Sequence, residues 1–105
     1  MKSNFVKLTG NVGINPRINT FEESAVMKLA LATNDKFKNR AGEIIEETVW
    51  HNIVAWSNPK MIDFNEIQKG TRIIVEGRIR PVHYTTKTGI EKQSYEIVAS
   101  SITLV

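Results

Sequence analysis

Two tryptophans, Trp50 and Trp56, stand six positions apart with Asn52 and Val54 between them. In an extended chain, side chains an even number of residues apart project to the same face. Trp50, Asn52, Val54 and Trp56 therefore share one face of a strand, and Val49, His51, Ile53 and Ala55 share the other. The second set, small and aliphatic, suits a core. The first presents two large flat rings with a polar amide between them. Phe37, inside Lys36-Phe37-Lys38-Asn39-Arg40, and Tyr84, between Arg80 and Lys87, add two more rings set among cations. Flat π-faces interleaved with positive charge match a single-stranded polyanion that carries bases, and each stacked base contributes roughly 1–3 kcal/mol.

Each of these features has a plainer reading. Tryptophans also serve cores and subunit contacts, and spacing alone does not separate those roles from stacking. Lys36, Lys38 and Arg40 equally suit a solvated loop. Phe37 is the residue that resists the plain reading, because a phenylalanine in so polar a segment has little core to enter. Arg72, Arg78 and Arg80 alternate along the outward side of a later strand, where charge also guards an edge against aggregation. The candidate nucleic-acid contacts are thus the rings Phe37, Trp50, Trp56 and Tyr84, the amide Asn52, and the cations Lys36, Lys38, Arg40, Lys69, Arg72, Arg80 and Lys87.

Catalytic chemistry finds little support. Glu22-Glu23 and Glu46-Glu47 are adjacent pairs whose carboxylates point to opposite faces when extended. No serine-histidine-acid spacing, glycine-rich phosphate loop or metal-ligand cluster is present. His51 falls on the core-like face and suits a structural role, and His83 suits an exposed one. Neither an enzyme nor a cofactor nor a metal is expected.

The elements that must hold these residues fit in 105 residues, the size of one domain spanning residues 1–105. Cysteine is absent, so disulfides and thiolate metal sites are excluded, in keeping with a reducing compartment. No apolar run approaches membrane-spanning length, and the stretch from Met1 to Phe5 runs into a strand-like alternation without an apolar signal segment. The net charge of +3 permits an anionic partner without requiring one.

Alternation predicts strands over residues 4–12, 25–33, 46–56, 71–80 and 93–104. Residues 17–24 read as a loop or short edge strand, and the polar stretches 34–43 and 83–92 as loops. Ser57-Asn58-Pro59 resembles a helix start, Met61, Ile62, Phe64 and Ile67 an apolar stripe, and Gly70 a stop. Periodicity alone leaves a small all-β barrel or sandwich with one helix; the position of that helix, between the third and fourth of five strands, favours an all-β, five-stranded OB-fold Greek-key barrel, whose binding face is the second and third strands with their loops.

Gly10-Asn11-Val12-Gly13 with Pro16, Leu31-Ala32-Thr33, Glu47-Thr48-Val49-Trp50-His51, Lys69-Gly70-Thr71, Val75-Glu76-Gly77 and Ile79-Arg80 follow in an order that resembles the bacterial single-stranded-DNA-binding proteins. The resemblance covers essentially the whole chain. It implies sequence-tolerant binding of single-stranded DNA in replication, recombination and repair, assembly as a homo-oligomer, usually a tetramer, and a cytoplasmic, nucleoid-associated protein. By position, Trp50 matches the family's strand tryptophan, Phe37 and Tyr84 stand where loop tryptophans are common, and Trp56 where phenylalanine is common. Asn52 stands where a basic residue is often found, while Lys38, Arg40, Lys69 and Arg80 keep theirs. The family's flexible acidic tail is not in this sequence, so recruitment of other proteins through it is not expected. The other readings are a primosomal or RNA-binding OB protein, and an OB module whose aromatic face docks a protein.

Overall fold

The computed structural model describes residues 3–105, so the first two residues of the expected domain lie outside the described residues. Six strands run in chain order: β1 (Val6–Val12), β2 (Arg17–Thr20), β3 (Ala25–Lys38), β4 (Ile44–Trp56), β5 (Arg72–Thr85) and β6 (Glu91–Leu104). They form one sheet in the order β1-β5-β6-β4-β3-β2, and β1 also pairs with β3 through Asn11↔Ala32 and Val12↔Leu31. That second pairing closes β1, β5, β6, β4 and β3 into a five-stranded barrel, consistent with the OB-fold expected. Closure brings β1 hard against β3 at Gly10, where a Cβ would overlap the Ala32 carbonyl oxygen and lie 2.9 Å from its carbon. β2 pairs only with β3 and hangs outside the ring as an edge strand.

The barrel is filled by Val12, Met27, Leu29, Leu31, Ile53, Ala55, Ile73, Val75, Ile97, Ala99 and Ile102. Alternation along each strand supplies these residues, with one change of phase. Glu76 pairs with Ser101 but Gly77 with Ala99, so Ser100 is an extra residue on β6. Its hydroxyl donates to the Glu76 carbonyl at 3.1 Å. This bulge lets the odd-numbered Ile97 and Ala99 and the even-numbered Ile102 all face inward.

The expected helix between the third and fourth predicted strands, here β4 and β5, is replaced by turns and one 3₁₀ turn, Phe64–Glu66. The apolar residues act as expected: Phe64 and Ile67 are buried at one end of the core, with Met61 and Ile62 packed against it. Short polar side chains divide the segment. Asn58 Oδ1 accepts from the Lys60 N–H at 2.9 Å and Asp63 Oδ1 from the Asn65 N–H at 2.9 Å. Such local bonds compete with a continuous helical ladder. Gly70 ends the segment with φ +87, as a stop residue should.

The two stretches expected as loops are largely strand. β3 and β4 pair without a break from Val26↔Trp56 to Lys38↔Ile44, leaving only Asn39–Glu43 as the turn. Asn39 Oδ1 accepts from the N–H groups of Ala41 and Glu43, both at 3.0 Å. β5 runs past Pro81 to Thr85 and pairs with β6 out to Thr85↔Glu91. Each extension is a two-stranded ribbon exposed on both sides, so no apolar alternation marks it and its polarity mimics a loop. The ribbons account for extents of 56 × 41 × 33 Å and a radius of gyration of 15.9 Å, against about 13 Å for a compact chain of this length.

Candidate nucleic-acid interface

Directly opposed residues of paired strands share a face. The β3–β4 register opposes Val26 to Trp56, Lys28 to Val54, Ala30 to Asn52, Ala32 to Trp50, Asn34 to Thr48 and Lys36 to Glu46. All lie on the outer side of the barrel wall, because Met27, Leu29 and Leu31 occupy the inner side. The parallel pair Val54↔Val98 joins β6 to this face. Arg78↔Val98, Arg80↔Glu96, Val82↔Ser94 and Tyr84↔Lys92 carry it on to β5.

Trp50 and Trp56 are 60% and 47% exposed, which excludes the core reading for both. Each rests on a small or flat neighbour. Trp50 stands beside Ala32, and its indole lies against Gly13, where a Cβ would overlap Cζ3 and fall 2.6 Å from Cη2. Trp56 stands beside Val26 and stacks on Phe21, with ring centroids 6.2 Å apart and planes 22° apart. Asn52 is exposed between them, over Ala30. Val54 departs from expectation: it shares the tryptophan face but is buried, 3% exposed, where β6 joins β4. Val49, expected to face the core, is 37% exposed because β3 and β4 have left the barrel there. His51 stays half-buried on the inner side, with Nε2 3.0 Å from Thr33 Oγ1.

The remaining candidates divide. Lys36 and Lys38 lie on the tryptophan side of the ribbon, and Arg40 lies in its turn. Phe37 pairs with Ile45 on the reverse side, in phase with Thr33 and Val49. Tyr84 belongs to the outer face beside Lys92, and Lys87 lies in the turn beyond it. Arg80 also points outward, but its Nε donates to Glu96 Oε1 at 3.0 Å and a second guanidinium nitrogen bonds the same oxygen. The Lys69 N–H donates to Asn15 Oδ1 at 2.8 Å, which fixes Lys69 beside the turn that supports Trp50. Arg72 opposes Asn11 of β1, at the far end of β5 from Tyr84, about 40 Å along the strand. The structure thus joins Trp50, Trp56, Asn52, Lys36, Lys38 and Tyr84 on one face and sets Phe37 and Arg72 elsewhere.

Three residues of this surface escaped the sequence reading. Phe21 is 58% exposed in the turn after β2, and Arg17 opposes Lys28 on the outer face. The only signal was the even spacing of Arg17, Asn19 and Phe21 in a short mixed segment. Among the described residues, no group of three or more His, Asp or Glu is placed to hold a metal ion, and no helix is long and apolar enough to cross a membrane.

The single-strand binding protein family model matches residues 3–105. The single-stranded DNA-binding protein of Neisseria meningitidis is 33% identical over 106 residues, an alignment covering 100% of this chain and 61% of that protein. Single-stranded DNA-binding protein 1 of Chlorobaculum tepidum is 35% identical over 104 residues, covering 97% and 64% respectively. The chain therefore spans about three fifths of the length of these relatives. Among solved structures, the Plasmodium falciparum SSB in complex with ssDNA superposes with a TM-score of 0.80 at 27% identity, covering 100% of this chain and 97% of that one. A deletion mutant of the Thermus aquaticus single-stranded DNA binding protein shares the fold, with a TM-score of 0.77 at 22% identity over 97% of this chain and 50% of that one. With its family match running through every described residue, the chain belongs to the single-strand binding protein family.

Proposed function

We propose that residues 1–105 act as one OB-fold domain that binds single-stranded DNA with little sequence preference and without catalysis. The observation that carries this reading is the outer face itself: two half-exposed indoles, Trp50 on Gly13 beside Ala32 and Trp56 on Phe21 beside Val26, flank Asn52, with cations on the ribbon above. Bases stack on Trp50, Trp56 and Tyr84, and Asn52 offers its amide between the indoles. Phosphates meet Lys36, Lys38, Arg40 and Lys87, and Lys69 at the barrel end. Arg80 uses the guanidinium N–H groups that Glu96 leaves free. Phe37 and Arg72 contact DNA that passes round the ribbon or the far side of the barrel, as wrapping requires. Family membership and the DNA-bound Plasmodium relative support the ligand. By the same kinship the domain assembles as a homo-oligomer, with a tetramer expected, and serves replication, recombination and repair in the cytoplasm.

Titration of the tryptophan fluorescence with oligo-dT at several salt concentrations tests the reading. Quenching is expected, with log affinity falling linearly against log salt. Absent quenching, or an affinity indifferent to salt, sinks it. Light scattering on the same sample reads the assembly, and a monomer overturns the oligomer.

A further inference from the structure

The β2–β3 hairpin carries features to which the proposed function gives no role. Along β2, Arg17, Asn19 and then Phe21 repeat at every second residue, so a cation, an amide and a ring line the outer edge, about 7 Å apart. Two independent observations bear on this row. First, Phe21 stacks on Trp56 yet stays 58% exposed, so packing against the indole leaves much of its surface open. Its place is held by backbone on both sides. The Phe21 N–H donates to the Ser24 carbonyl at 2.7 Å, closing the turn. Ala25 exchanges bonds with Ser57, donating to the hydroxyl and accepting from the Ser57 N–H, both at 2.8 Å. Ser57 follows Trp56 directly, so the two rings are registered to one another before any ligand arrives.

Second, Arg17 and Lys28 oppose each other directly on the same outer face. Like charges in that arrangement repel, and neither has a carboxylate partner within salt-bridge distance among the described residues. An anion between them would relieve the repulsion. One phosphate of a single strand suits the site, because a base about two nucleotides along the strand comes within reach of the rings at the other end of the row, about 14 Å away.

We propose that the outer face of the β2–β3 hairpin extends the single-strand interface, with Phe21 and Trp56 forming a two-ring platform for a base and Arg17 and Lys28 sharing a phosphate. This rests on the single-strand reading given above. It lengthens the aromatic row beyond β4 to the edge of the sheet, and it makes Phe21 a stacking residue in its own right.

Oligo-dT affinity across a salt series separates the possibilities, with melting temperature as the control for folding. Phe21→Ala is expected to weaken binding about five- to tenfold, the low end of one base–aromatic stack, with no change in the salt slope. Phe21→Tyr restores affinity, whereas Phe21→Leu, which keeps bulk but has no π-face, does not. Replacing both cations, Arg17→Gln with Lys28→Gln, is expected to lower the slope by about 0.7, the value of one phosphate contact on a single strand. If the wild type binds but Phe21→Leu matches it, the ring only packs the turn and the proposal fails. A slope unchanged in the double variant overturns it equally. A wild type that does not bind removes both this proposal and the reading beneath it.

Discussion

The indole of Trp50 lies on Gly13, so close that a single methyl group there would overlap its Cζ3. The second glycine of the Gly10-Asn11-Val12-Gly13 motif is therefore part of the aromatic surface, although it carries no side chain. Trp50 is 60% exposed and its indole is the free end of a side chain, so the ring can swing out when the floor rises. Gly13→Ala is expected to leave stability within about 0.5 kcal/mol of wild type, as for other surface changes. Affinity for oligo-dT is expected to fall about tenfold, because the platform is displaced. Chemical denaturation and fluorescence titration of the same variant check the two halves.

Glycines that face backbone should behave oppositely. A Cβ on Gly10 would overlap the Ala32 carbonyl oxygen, and one on Gly77 would overlap the Val98 carbonyl oxygen. Neither strand can yield without opening the barrel, so Gly10→Ala and Gly77→Ala should each cost about 3 kcal/mol, at the upper end of overpacking effects. Urea unfolding midpoints measure this. A loss below 1 kcal/mol would show that the barrel relaxes around the added methyl.

Trp50→Ala tests the division of labour along β4. The indole is exposed, whereas Ile53, three residues on, is 2% exposed within the core. Trp50→Ala is expected to weaken DNA binding by roughly 1–3 kcal/mol and to change stability by about 1 kcal/mol or less. Ile53→Ala should do the reverse, costing about 2–5 kcal/mol of stability while the remaining folded fraction binds normally. Paired unfolding and binding curves for the two variants decide the matter, and an unfolded Trp50→Ala would return that ring to the core.

Glu96 holds Arg80 through one carboxylate oxygen that accepts from two guanidinium nitrogens. The glutamate side chain is 15% exposed and the arginine 47%, so the acid is the sheltered member and the base faces the solvent. Glu96→Gln keeps the shape and removes the competing charge. It is expected to raise oligo-dT affinity two- to fivefold at low salt, because the phosphate on Arg80 loses a repelling carboxylate, and the gain shrinks as salt screens that charge. An unchanged low-salt affinity means that Arg80 does not reach the DNA.

The barrel strands were legible because a wall with one wet and one dry side alternates apolar and polar residues. Met27-Leu29-Leu31 and Ile73-Val75 need nothing more to be recognised. The ribbons were not, because between Asn34 and Glu47 both sides meet water and the pattern that marks a strand is absent. Phe37 shows the consequence. As a loop residue it was free to join the tryptophans, but as a strand residue opposite Ile45 it is committed by parity to the reverse side. The helix signal misleads for the converse reason: Met61, Ile62, Phe64 and Ile67 do cover the core, but Asn58 and Asp63 accept from backbone N–H groups two residues on and divide the segment into turns.

By itself, the sequence determined an all-β class, most of the inward residues of its strands, and the presence of Trp50 and Trp56 on one face, because period-two alternation is a local property. Closure of the barrel and the bulge that turns Ile102 inward were not local. The order of motifs from Gly10 to Arg80 also carried the family. Only the tertiary structure decided which neighbours each ring meets. Gly13 beneath Trp50, Phe21 against Trp56, Arg17 opposite Lys28 and Glu96 on Arg80 all come from different strands or from the turns between them. Such juxtapositions depend on register and on barrel closure. Those are set by the whole packed core, which no single segment encodes.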